Sequence, residues 1–270
     1  MTAVNDLHSE SGPVFDPERL AEDLFAQHQN GANFHPMAAV TDAGQAYAVQ
    51  DALVRRMIGR FGQPVGYKIG LTSERMQQAC GIDQPVAGRV LQDRLRPSGT
   101  TIRLSEHGHA GLEFEICVRL ARPLPARAEP YTIGDVAAAV DAVCAAVEVI
   151  DDRNSDYKVL DALSLVADNS WNVGVVLGPW ATHWGELEAL RGTVRLNGQE
   201  VDGGYGRDVL GGPFVPLAWL ANRLSAAGRG LEAGDIVMTG NLVTTHFPKP
   251  GDAYRFELGA VSAVELRIAD

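Results

Sequence analysis

Apolar side chains recur every three or four residues in the first part of the chain, and this spacing predicts helices. One helix begins at Pro17, with Leu20 and Leu24 on its apolar face. A second begins after Asp42, which suits an N-cap, and ends at a glycine. The apolar face of this second helix consists of Ala46, Val49, Leu53 and Met57. We therefore predict a helical N-terminal region over residues 1–63.

From residue 64 onward the pattern changes to short β-type runs that glycines interrupt. Residues 111–120 alternate strictly, with apolar side chains on one face and two glutamates on the other. A helix is predicted from about Thr132 to Ala145, followed by a buried strand, AVEVID. The dipeptide Asn197-Gly198 stands between two alternating runs and predicts a hairpin turn.

Many strands and few helices predict an α+β fold with a folded or barrel-like sheet, and not a doubly wound parallel sheet. We expect residues 64–270 to form one β-rich catalytic domain. No repeat or strong linker divides the chain, so this domain and the helical region are expected to work as a single functional unit.

Composition narrows the range of functions without naming one. The chain has 270 residues, 46% of them hydrophobic and 21% charged, which is typical of a globular protein. Its formal net charge of -11 argues against nucleic-acid binding, which needs a basic surface. The polar start lacks the plan of a signal peptide and no apolar run could cross a bilayer, so we expect a cytoplasmic protein. The three cysteines fit no zinc spacing and are expected to be reduced.

Three glutamates are candidates for a metal site. Glu113 and Glu115 are two residues apart on a predicted strand, so both side chains leave the same face. Glu148 lies in an apolar strand, where an unpaired carboxylate is costly to bury. Together they would suit Mg²⁺ or Mn²⁺, which prefer carboxylate oxygen. The alternative for the first two glutamates is a solvated strand face.

Lys68 is a candidate acid or base because it stands in the otherwise apolar run VGYKIGL. Burial and a nearby cation would depress its pKa, and the alternative is a lysine that reaches solvent from a strand end. Residues 151–153 could orient the site, but a polar loop is the favoured interpretation for the two aspartates. His107 and His109 are likewise interpreted as a solvated loop. Nucleotide-binding and serine-hydrolase motifs are absent.

Five segments occur in order from about residue 64 to the C-terminus: GYKIGLTSERMQQACGIDQPVAGRVL, GLEFEICVRL, AVEVIDDR, DNSWNVGVVLG and LEAGDIVMTGN. Taken together they resemble the fumarylacetoacetate hydrolase superfamily, in its 2-keto-4-pentenoate hydratase and 4-oxalocrotonate decarboxylase branch. The resemblance implies a mixed β-roll or barrel with a helical N-terminal part, usually assembled as a homo-oligomer.

The resemblance also assigns roles to residues. The implied ligands of Mg²⁺ or Mn²⁺ are Glu113, Glu115 and Glu148. The implied catalytic residues are Lys68 and Asp83. The substrate pocket is assigned to Leu71, Ser170 and Trp171. The chain departs from the family where D-N-A-S-x-G is replaced by DNSWNV, so that tryptophan takes the place of a small residue, and where T-G-S is replaced by TGN.

The implied reaction is metal-dependent addition of water to a 2-hydroxy-2,4-dienoate of the 2-keto-4-pentenoate type, which gives a 4-hydroxy-2-oxo acid. Catabolism of aromatic compounds is the expected context. One alternative is decarboxylation of a 2-oxo-3-enedioate of the 4-oxalocrotonate type. Another is hydrolytic C–C cleavage of a diketo acid, for which Glu106 with His107 or His109 would have to activate water. The non-enzyme alternative is a non-catalytic partner subunit, since hydratases and decarboxylases of this family can associate.

Overall fold

The helical N-terminal region packs as two helices in the computed structural model, which describes residues 15–270. Helix α1 (Pro17–Asn30) is capped by the side chain of Asp16, and α2 (Ala43–Phe61) is capped by that of Asp42. Both helices end at a glycine, which was predicted for α2. The polar start of the chain, on which the expectation of no signal peptide rests, lies outside the described residues.

The β-rich part contains two mixed sheets and four further helices. The helices are α3 (Glu74–Ala79), α4 (Ile133–Ala137), α5 (Ala162–Ala167) and α6 (Phe214–Ala226). The strands are β1 (Pro64–Gly70), β2 (Val86–Leu91), β3 (Leu95–Pro97), β4 (Thr100–Arg103), β5 (Ala110–Leu120), β6 (Val140–Asp151), β7 (Asn172–Leu177), β8 (Arg191–Leu196), β9 (Gln199–Tyr205), β10 (Ile236–Asn241), β11 (Ala253–Leu258) and β12 (Ser262–Ala269).

A seven-stranded sheet has the order β2-β1-β10-β5-β6-β7-β3, and a five-stranded sheet has the order β4-β12-β11-β8-β9. Neither sheet closes into a barrel within residues 15–270, so the barrel-like part of the prediction is wrong. The α+β class with a helical N-terminal part is confirmed. The Asn197-Gly198 hairpin between β8 and β9 is also confirmed, since both residues have positive φ angles, of 52° and 84°.

The centre of the larger sheet differs from the sequence prediction. The helix predicted from Thr132 to Ala145 is only the five-residue α4, and the chain then forms β6, a strand of 12 residues. Alanines there suit a helix, but pairing with β5 on one side and β7 on the other satisfies the backbone of the buried run instead. Tertiary pairing therefore overrides local propensity at this position.

The N-terminal helices cover one end of the larger sheet. One hydrophobic cluster joins Leu53 of α2 and Leu24 of α1 to Leu165 of α5 and to Trp171. The main hydrophobic core is formed by side chains from both sheets and from α6. No helix in the described part of the chain is long and apolar enough to span a membrane. All three cysteines are free, as expected.

Candidate active site

The three predicted carboxylates meet at the centre of the larger sheet. Pairing of β5 with β6 sets Glu113 directly opposite Glu148, and Glu115 follows on the same face of β5. Each glutamate offers one oxygen, and these oxygens lie within 4.8 Å of one another. Glu115 and Glu148 are fully buried and Glu113 is half-buried, so a solvated strand face does not describe them.

One oxygen of each carboxylate is held by a hydrogen-bond donor from a different part of the chain. Thr245 Oγ1 donates to Glu113 Oε1 at 2.8 Å, and Asn172 Nδ2 donates to Glu148 Oε1 at 2.8 Å. The backbone N–H of Gly240 donates to Glu115 Oε2 at 2.7 Å. These donors orient the three side chains and leave their other oxygens available.

The remaining oxygens fit a divalent cation. Glu115 Oε1 and Glu148 Oε2 are buried and accept no hydrogen bond from residues 15–270. Three close carboxylates carry a charge of about -3 when ionised, against the single positive charge of Lys68, and a buried excess of negative charge is costly. A hard cation with carboxylate ligands would satisfy both the free oxygens and the charge.

Burial controls the pKa of the inner carboxyl groups. It raises the pKa of Glu115 well above 4.5, and the neighbouring Glu148 and Glu113 raise it further. Burial also raises the pKa of Glu148, to about 7, with Lys68 acting in the opposite direction. The folded protein without a cation therefore favours protonation of this cluster.

Lys68 on β1 is buried beside the carboxylates. Its Nζ lies 3.3 Å from Glu148 Oε2, an ion-pair distance that lacks hydrogen-bond geometry. Burial lowers the pKa of Lys68, but the fields of Glu148, Glu113 and Glu115 outweigh it, so the pKa is raised above 10.5. The expected depression by burial is thus outweighed in the protein without a cation, where Lys68 is an ammonium group at neutral pH.

A cavity of about 90 Å³ opens beside Glu113 and Lys68. The three predicted pocket residues, Leu71, Ser170 and Trp171, all line this cavity. The rest of the lining includes apolar side chains from several helices and strands. Residues 169–171 have positive φ angles of 52°, 49° and 62°, which is unusual outside glycine. This left-handed segment brings Ser170 and Trp171 to the cavity.

Asp83 does not line this cavity. It is exposed on the turn before β2 and lines a neighbouring cavity with Tyr47 and Trp219. The two cavities share Val86, so a catalytic contribution from Asp83 would require the turn to move. Its assigned role stays a prediction.

The polar residues after β6 are more buried than a polar loop would be. Asp152 accepts hydrogen bonds from Tyr157 Oη and from the backbone N–H of Asn154, and it contacts His109 Nδ1 at 2.8 Å. Arg153 is 1% exposed and forms an ion pair with the buried Asp168. Asp152 thus holds Tyr157, which lines the cavity. Among the histidines, His107 lies with Glu106 in a different cleft.

Sequence reasoning missed the residues that hold the carboxylates. Asn172 and Gly240 lie in segments that the resemblance quotes, but neither position carries a signal of its own before the strands are paired. Thr245 and Tyr157 lie in irregular segments, where side-chain spacing predicts nothing about contacts. The register of β5, β6 and β10 is the missing information.

The fold and this site define an enzyme with a carboxylate centre suited to a divalent metal. The fumarylacetoacetate (FAA) hydrolase C-terminal family matches residues 75–269. The chain belongs to this family.

Relatives and solved structures are similar over most of the chain. A 4-oxalocrotonate decarboxylase of Pseudomonas putida is 35% identical over 86% of this chain and 87% of its own. A 2-keto-4-pentenoate hydratase of Paraburkholderia xenovorans (strain LB400) is 32% identical over 92% of this chain and 93% of its own. The structure of 4-oxalocrotonate decarboxylase from Pseudomonas putida G7, complexed with magnesium and adipate, has a TM-score of 0.87 at 31% identity. That match covers 93% of this chain and 97% of the other.

Proposed function

We propose that this protein is a metal-dependent hydratase that adds water to a 2-hydroxy-2,4-dienoate of the 2-keto-4-pentenoate type and forms a 4-hydroxy-2-oxo acid. The observation that carries the proposal is the lining of the cavity beside Glu113. Lys68 is the one cationic side chain among its lining residues, and most of the others are apolar. A substrate with one carboxylate and an apolar tail matches this lining.

Decarboxylation of a 2-oxo-3-enedioate is the second candidate, because the decarboxylase relative is 35% identical and the hydratase relative 32%. The two sequence identities are too similar to distinguish the two reactions, so we compare the substrates with the lining of the cavity. An enedioate carries a second carboxylate, and no further arginine, lysine or histidine lines the cavity to receive it. A buried carboxylate without a partner is costly, which favours the hydratase.

We propose Glu113, Glu115 and Glu148 as the ligands of Mg²⁺ or Mn²⁺, and the decarboxylase structures solved with magnesium and with calcium support a divalent cation. When bound, the cation would supply Lewis-acid stabilisation of the negative charge that develops on a 2-oxo acid. Diketo-acid cleavage has less support, because Glu106 and His107 lie outside this cavity.

The chain's own residues would position the substrate. Lys68, as an ammonium group, would pair with the carboxylate of the substrate and donate hydrogen bonds to it. Leu71 and Trp171 would contact the apolar tail, and Ser170 would provide a hydroxyl near the position where water is added. Asp83 would join them only after movement of its turn.

We also propose that the helical region and the β-rich domain, residues 1–63 and 64–270, act as one functional unit. Leu53 of α2 belongs to the same hydrophobic cluster as Leu165 and Trp171, and these last two residues line the cavity. The helical region therefore supports residues of the candidate active site. A cytoplasmic homo-oligomer, able to associate with a related decarboxylase or hydratase, remains the expected assembly.

The test is turnover by metal-stripped protein, followed by UV absorbance and mass spectrometry. The substrates are 2-hydroxypenta-2,4-dienoate and 2-oxohex-3-enedioate, each with and without Mg²⁺ or Mn²⁺. Water addition to the dienoate that needs metal and is lost in Glu115→Gln supports the hydratase, while Glu22→Gln on α1 is the exposed control. Loss of CO₂ from the enedioate would select the decarboxylase, and no metal-dependent turnover of either substrate would overturn both.

A further inference from the structure

A basic cleft lies apart from the cavity at the carboxylates. It consists of two adjoining cavities, of about 400 and 170 Å³, that share Arg94, Arg96 and His107. Arg60 and His28 line the larger cavity, and Arg103 lines the smaller one. Four arginines thus converge on one cleft of a chain whose formal net charge is -11.

The four arginines of the cleft lack ion pairs within residues 15–270. None of the four forms an ion pair within 4.0 Å or a side-chain hydrogen bond with residues 15–270, in contrast to most arginines elsewhere in the described chain. The guanidinium groups of Arg94 and Arg60 instead lie near the Phe61 ring, at 3.7 and 5.1 Å from its centre. These contacts leave their N–H groups available.

Three carboxyl groups line the cleft against its four guanidinium groups, so they offset only part of the positive charge. Asp151 is already engaged, because it accepts hydrogen bonds from the backbone N–H groups of Gly108, His109 and Arg153. Asp93 and Glu106 are exposed at the rim. Burial and, after it, the like charges of Arg60 and Arg96 lower the pKa of Arg94 to about 10, and Glu106 and Asp151 act in the opposite direction.

We propose that this cleft binds a small multivalent oxyanion, either a phosphate compound or a polycarboxylate. Planar guanidinium groups with free N–H donors recognise both kinds of ligand through paired, charge-assisted hydrogen bonds. The larger cavity is also wide enough for more than a simple inorganic ion.

The cleft also touches the support of the carboxylate centre. Asn172 lines the larger cavity, and its side-chain amide donates to Glu148. A ligand in the cleft would therefore lie against a residue that orients one of the carboxylates, although no residue lines both the larger cavity of the cleft and the cavity at the carboxylates.

The test is isothermal titration calorimetry of the full-length, Mg²⁺-loaded protein at constant ionic strength, with inorganic phosphate and with tricarballylate as probes and chloride as the reference anion. We expect one site per chain that Arg94→Gln weakens about tenfold or more, the usual effect of losing a charged hydrogen bond. The exposed Arg96→Gln serves if the first variant folds poorly, and Arg207→Gln, on the turn after β9, is the matched control.

Two further measurements distinguish binding in this cleft from binding at the carboxylate centre and identify the ligand. Binding should persist in Glu115→Gln, because that substitution alters only the carboxylate centre; loss of binding there would assign the anion to that centre. Preference for phosphate or for tricarballylate identifies the class of ligand. Binding no stronger than that of chloride, binding indifferent to Arg94→Gln and Arg96→Gln, or a change of oligomeric state in these variants by sedimentation velocity would overturn the proposal.

Discussion

Replacing Glu148 with glutamine should make the metal-free protein more stable at neutral pH. The pKa of Glu148 in the folded protein is about 7, against a reference value of 4.5. At 1.36 kcal/mol per pH unit, this rise corresponds to about 3 kcal/mol. Because the folded state holds this proton more tightly, its contribution to the free energy of unfolding is present below pH 4.5 and is lost as pH rises through 7.

The glutamine variant lacks this titration. Its free energy of unfolding, relative to that of the natural chain, should therefore rise by about 3 kcal/mol between pH 4.5 and pH 8 in the presence of a chelator. Taking the difference between the two proteins at each pH removes the contribution of titrating groups that do not interact with Glu148, whereas Glu115 and Lys68, which do, contribute to the measured difference. On thermal unfolding the effect would be on the order of 6–12 °C.

Added Mg²⁺ should cancel most of this difference in stability. A cation at about 100 times its dissociation constant stabilises the folded state by about 2.7 kcal/mol, and the variant would lose most of this. Urea unfolding followed by circular dichroism, between pH 4.5 and pH 8 with chelator or with Mg²⁺, measures both effects, and Glu22→Gln is the exposed control. A difference between variant and natural chain that stays flat with pH, or equal stabilisation of both by Mg²⁺, would refute the reasoning.

Three other substitutions test the support of the site. Gly240→Ala would set a Cβ atom 2.1 Å from Thr72 Oγ1 at a φ of 122°, so we expect at least about 2 kcal/mol of lost stability by urea unfolding, with weaker Mg²⁺ binding by calorimetry. Asp168→Asn would leave the buried guanidinium of Arg153 without its anion, which should cost about 3 kcal/mol in urea unfolding. Lys68→Met should lower kcat/KM for the dienoate by roughly 100-fold or more while the protein stays folded, since it removes the one cation of the cavity.

Local sequence patterns were sufficient to predict the three glutamates of the candidate metal site. Alternation along residues 111–120 correctly predicted that Glu113 and Glu115 share a face, and the cost of a buried charge drew attention to Glu148. These inferences need only the period of a strand and the chemistry of a carboxylate. Resemblance to the family supplied the rest of the assigned residues.

The pairing and register of the strands could not be predicted from the sequence. Nothing in the alanine-rich run before Glu148 indicates that it is held between β5 and β7, so a helix was the natural but wrong prediction. The same limitation applies to the pKa of Lys68, because the direction in which it shifts depends on how many carboxylates lie near the side chain. Asp83 illustrates the converse case, because a motif identified it while the structure leaves it outside the cavity.

The arrangement of donors indicates what the carboxylate centre is built for. A cluster that served stability alone would gain by satisfying both oxygens of each buried carboxylate, since an unsatisfied buried acceptor costs roughly 1–3 kcal/mol. Here Asn172, Gly240 and Thr245 each hold one oxygen, and the inner oxygens of Glu115 and Glu148 accept no hydrogen bond within residues 15–270. The fold thus tolerates a local cost that bound metal would remove. Because water addition and decarboxylation can share such a centre, the selectivity must come from the lining of the cavity, where Trp171 and the single cation define the space beside it.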